Sequence, residues 1–156
     1  MTEDQEFIPT PLAADLKGVF SPPMEGTDAV QKFSDLLKAL TLGAVDVGAW
    51  SIGHVKAVVE AGQGFISMSS TTEDGNVRTK GELSSVEEWT MTVNVIVFGP
   101  DVEDLETMLL EKVESILPGS KVNVYHAEGC DDPECFDPFC RRPEHVHEDD
   151  CDCDRC

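Results

Sequence analysis

Residues 89–98 read WTMTVNVIVF, with Trp89, Met91, Val93, Val95 and Val97 at odd positions and Thr90, Thr92 and Asn94 at even ones. Successive side chains of an extended chain point to opposite faces, so this stretch is a strand with one apolar and one wettable side. Valine, isoleucine and threonine dominate it, and their branched Cβ atoms suit a pleated surface better than a helix. The residues GPD that follow open a helix, with Asp101 as its cap and Asp104 at the positive end of the helix dipole. Val102, Leu105, Leu109, Val113 and Ile116 form the buried stripe, and Pro118-Gly119 ends it. KVNVYH at 121–126 then reads as a last short strand.

Toward the N-terminus, IGHVKAVV (52–59) gives another strand, with Val55, Ala57 and Val59 on one face and His54 and Lys56 on the other. AGQG turns the chain into FISMSST (65–71), EDGN (73–76) is a second turn signal, and VRTKGEL is a further, more exposed strand. Before these, Thr27 stands as an N-cap ahead of DAVQKFSDLLKAL, where Val30, Phe33, Leu37 and Leu40 make one helical stripe. Residues 1–26 hold Pro9, Pro11, Pro22 and Pro23 and only short apolar clusters, which predicts an arm without regular structure. The expected fold is α+β: a two-layer sandwich of an antiparallel-rich sheet with two helices on one face. It divides as arm 1–26, α+β domain 27–126 and an irregular Cys/His-rich tail 127–156.

All six cysteines of the 156-residue chain fall in the last 27 residues, at Cys130, Cys135, Cys140, Cys151, Cys153 and Cys156, with His145 and His147 among them. Thiolates and imidazoles are the usual protein ligands of divalent transition metals. Proline repeats on the same five-residue step as Cys130, Cys135, Cys140 and His145, so the segment reads as a chain of turns able to wrap an ion. Eight such ligands can fill two tetrahedral sites, grouped as Cys130, Cys135, Cys140 and His145 against His147, Cys151, Cys153 and Cys156, with other groupings open. Zinc suits this set first, and imidazole also admits nickel or cobalt. The other readings are a redox or disulfide cluster and an acidic tail with incidental cysteines. A nucleophilic thiol is disfavoured, because the surrounding carboxylates raise a cysteine pKa where catalysis needs it lowered. His126 can add a ligand at the root of the tail, whereas His54 reads as a solvated or partner-facing side chain.

The formal net charge is -20, which argues against nucleic acid and anionic membranes, since both demand Lys and Arg. The N-terminus has no basic start or apolar run, and no stretch reaches the length of a membrane span, so a cytoplasmic location is expected. Thiols stay reduced there, which favours metal over disulfide.

Residues 28–125, with IGHVKAVVEAGQGFISMSST and WTMTVNVIVFGPDVEDLE, resemble the small α+β domain that accompanies CobW-type metallochaperone GTPases. There a similar glycine-histidine strand precedes a small-residue turn, and a later strand runs into GPD and a helix. The resemblance implies an accessory role in metal delivery, with a CobW-like GTPase or a metalloprotein client as partner. The chain has no G-x-x-x-x-G-K-[ST] loop to cradle phosphate, so GTP hydrolysis is not implied. No Ser/His/Asp set or isolated carboxylate pair stands out, and a non-enzyme is expected. The sequence thus predicts a metal-binding accessory protein, a metallochaperone or metal buffer; the alternative is a zinc-stabilised or redox-sensing interaction module.

Overall fold

The computed structural model describes residues 8–125. Its elements are β1 (Thr10–Glu25), α1 (Gly26–Asp46), β2 (Ser51–Ala61), β3 (Gly64–Ser70), β4 (Arg78–Gly81), β5 (Ser85–Phe98), α2 (Val102–Ile116) and β6 (Lys121–Tyr125). The strands form one six-stranded sheet in the order β4-β3-β2-β5-β1-β6. β5 lies between β1 and β2 and is antiparallel to both, while β3 continues antiparallel from β2 and β4 from β3. The α+β class with two helices is therefore the observed one.

Because β1 and β2 both run against β5, they are parallel to each other, and α1 carries the chain between them across β5. The helix α2 does the same from β5 to β6, passing β1. Each helix thus bridges two strands that a third separates, the split β-α-β arrangement. A crossover of this kind must lie on a sheet face, and here it puts the apolar stripes of the helices over the odd-numbered side of β5. Trp89, Met91, Val93, Val95 and Val97 are all buried there, in one cluster with Val86, with Phe33, Leu36, Leu37 and Leu40 of α1 and with Leu105, Met108, Leu109 and Val113 of α2.

One sequence expectation is corrected. The stretch read as an irregular arm contains a strand of 16 residues, and that strand pairs with β5 from Thr10↔Val97 to Val19↔Glu88. The prolines concealed it, yet none falls within the paired run from Leu12 to Val19. Pro11 lies at the start of β1, and Pro22 and Pro23 fall where the register breaks between Val19 and Met24, positions where a missing N–H is tolerated. The alternation that marks the strand is Leu12, Ala14 and Leu16, all buried.

The helix starts differ in how they are built. The Asp101 carboxylate accepts from the Asp104 backbone N–H at 2.9 Å, as expected of a cap. The expected cap of α1, Thr27, instead lies in its first turn, because the helix starts at Gly26 after Glu25. A Cβ on Gly26 would fall 1.7 Å from the Leu83 carbonyl oxygen, so the start of α1 is fixed by close approach of two backbones.

At the far end of β1, Phe33 meets Trp89 edge-on with ring centroids 5.1 Å apart, and Phe20 lies 5.9 Å from Trp89. Gly18 covers the indole: a Cβ there would sit 2.3 Å from Trp89 Cζ2. Gly18→Ala is expected to lower stability by about 1–3 kcal/mol through overpacking. A smaller side chain in Gly18→Ala/Trp89→Leu should cost less than the sum of the two single changes, which chemical denaturation of all four proteins would measure.

Candidate binding surface

The helices cover one side of the sheet. On the other side, no helix or strand among the described residues covers the even-numbered positions of β5 from Glu88 to Ile96. Residues directly opposite each other in an antiparallel pair share a face, so the registers define rows across the strands. One row runs Ala13, Asn94, Lys56, Ser69, Arg78, and the next runs Asp15, Thr92, Val58, Ser67, Lys80. A third runs Lys17, Thr90, Glu60, Phe65, and toward the other end of β5 lie Pro11, Ile96 and His54. The Thr92 hydroxyl donates to Asp15 Oδ1 at 3.0 Å.

Charge is distributed unevenly between the two sides. The first three rows carry four of the eight lysines and arginines of residues 8–125 but only two of their seventeen carboxylates. The two helices hold eight carboxylates against three lysines. A chain of strongly negative total charge therefore has one face on which cations outnumber anions. Within that face, Val58 is 42% exposed and Phe65 64%. They lie diagonally across β2 and β3, close enough for an aromatic side chain to span. At the end of the sheet Trp50 stacks obliquely on Phe98 with centroids 5.5 Å apart. Trp89, by contrast, is a core residue.

His54 lies on this open face, as expected. Its pKa is lowered from 6.5, first by partial burial and then by the neighbouring Lys56. A shallow cleft between the helices is lined by Asp46, Asp104, Glu111 and Lys112 among others; its acidic groups are ordinary helix-surface charges.

Cys130, Cys135, Cys140, His145, His147, Cys151, Cys153, Cys156 and His126 lie outside the described residues. Among the described residues, no group of three or more His, Cys, Asp or Glu side chains could hold a metal ion, and no helix is long and apolar enough to cross a membrane. The sequence placed His54, Lys56, Thr90, Thr92 and Asn94 on one side of their strands. It missed the contribution of Ala13, Asp15 and Lys17, although their alternation with Leu12, Ala14 and Leu16 was there to be read.

No protein-family model matches the chain, and no curated protein matches it. Among solved structures it is similar to the crystal structure of the adenosylmethionine decarboxylase from Aquifex aeolicus VF5. That match has 14% identity and a TM-score of 0.39, and covers 83% of this chain and 97% of that one. This corrects the CobW-type expectation: the similar structure belongs to a decarboxylase and not to a metallochaperone accessory domain. The metallochaperone or metal-buffer role implied by that resemblance falls with it, and the expectation of a non-enzyme is left without support. At this identity and TM-score the likeness carries nothing about the chemistry of this chain.

Because His54 binds its proton less readily when folded, the folded chain holds fewer protons than the unfolded one as pH falls through 6.5. Its contribution to stability is thus full above that pH and is lost progressively below it. An NMR titration should place the His54 midpoint below 6.5, and Lys56→Gln should raise it.

Proposed function

We propose that this protein works by docking a macromolecular partner on the open face of its sheet. The single observation that carries the reading is the combination of exposed Val58 and Phe65 with a cation-rich surround, on a sheet face that no described element covers. An apolar centre with a polar rim is the anatomy of a binding surface, where the centre supplies burial and the rim sets orientation. Thr90, Thr92, Asn94, Ser67 and Ser69 are short side chains, so a partner can approach the sheet closely.

Val58 on the sheet face and Leu110 on the helix layer are each 42% exposed, which makes them matched positions for a photo-crosslinking side chain. In cells, adducts are expected from position 58 and not from 110. Equal yields from both would refute docking by the sheet face.

Ligand chemistry alone supports a separate proposal: Cys130, Cys135, Cys140, His145, His147, Cys151, Cys153 and Cys156 hold a divalent transition metal, zinc first. Adding Co(II) to the reduced chain should give intense sulfur-to-metal charge-transfer absorption, fading as pH falls and the ligands gain protons. Its absence would end that proposal.

A further inference from the structure

We infer that the occupant of the open sheet face is a second copy of this chain, packed sheet to sheet about a two-fold axis that runs close to the direction of β5. The inference rests on the docking proposed above and names the partner. Its support is charge complementarity of a particular kind. Lys17, Thr90 and Glu60 form one row, with the cation on β1, the neutral residue on β5 and the anion on β2. A two-fold axis along β5 exchanges the β1 side of one sheet with the β2 side of the other. It brings Lys17 over the partner's Glu60, and Glu60 over the partner's Lys17, from one surface used twice, as an isologous interface requires. In the adjoining rows Asp15 lies diagonally across from the partner's Lys56.

Over four successive rows the axis meets uncharged residues, Thr90, Thr92, Asn94 and Ile96, and one row beyond Thr90 it meets Glu88. Neutral residues there favour the arrangement, because a charge on the axis faces its own copy; Glu88 does so at the edge of these rows, where Lys17 of the same sheet is its diagonal neighbour and offsets the repulsion. Aligned sheets cross at about 30°, so the pairing is closest near the row of Thr90 and opens away from it. Arg78 and Lys80 lie on β4, three strands from β5 on one side, whereas only β1 and β6 lie on the other. They therefore overhang the partner's sheet and do not meet each other. The excess of cations on this face is concentrated at that overhang, outside the paired region.

Sedimentation equilibrium of the full, reduced chain tests the arrangement, with far-UV circular dichroism to verify that each variant is folded. A mass near twice 17.0 kDa is expected. Lys17→Glu and Glu60→Lys should each raise the dimer dissociation constant about tenfold or more, since like charges then meet twice per dimer. The double swap Lys17→Glu/Glu60→Lys should return it to within about threefold of the original. Position 90 separates a second copy from an acidic partner. On a two-fold axis Thr90→Lys and Thr90→Glu must both weaken association, whereas an acidic partner would bind the lysine variant more tightly and the glutamate variant less. A monomer throughout, or a dimer indifferent to these four variants, would overturn the inference. If the chain is monomeric but position 58 still crosslinks to another protein, the docking surface stands and the second copy does not; if position 58 yields nothing, both fail.

Discussion

Everything in this fold hangs on the two-sidedness of β5. It is the one strand with a β-ladder to both halves of the molecule's core, β1 on one side and β2 on the other. Its odd-numbered residues are buried at 3% exposure or less from Trp89 to Val97. A one-residue slip of register against either neighbour would turn that set toward the open face and bring the threonines inward. Burial of Trp89, Met91 and the three valines therefore fixes which face receives the helices and, by exclusion, which face is left for binding.

The helices then follow from connectivity. A chain that must leave β1, skip β5 and return as β2 needs a long crossover, and an amphipathic helix satisfies its own backbone hydrogen bonds while making it. Both crossovers use the same side of the sheet, so the carboxylates of α1 and α2 collect in one layer. The charge contrast between the two layers is thus a product of topology acting on sequence. Lysines at 17, 56 and 80 are scattered along the chain, and only the strand registers bring them together.

Much of this was legible in advance, for a definite reason. β2, β3, β5 and the two helices each show a clean apolar period, and local period is what a single sequence displays. The strand β1 was hidden because its prolines are breakers in most contexts, and only its tertiary position shows that they fall at the start of the strand and at a register break. Thr27 was a reasonable cap by residue type, but the start of α1 is decided by the contact of Gly26 with the Leu83 carbonyl, which lies far away in sequence. The open face was half visible: alternation gave its sides strand by strand, while the rows that join Lys17 to Glu60 depend on pairings no local pattern contains. Metal-ligand spacing in the tail concerns residues beyond those described.

The position of β1 also has a consequence for synthesis. Thr10 leaves the ribosome long before its partner Val97. Until β5 emerges, the nascent chain can form α1 and the β2–β3 hairpin, but β1 has no neighbour and α1 has an incomplete surface to rest on. Contacts so distant in sequence close slowly, because a long loop must be ordered before they form. During that interval Leu12, Leu16, Phe20 and Phe33 stand exposed. Between the synthesis of β1 and that of β5 the growing chain is a client for whatever shields apolar segments, and the sheet is completed only once β5 and β6 have been made.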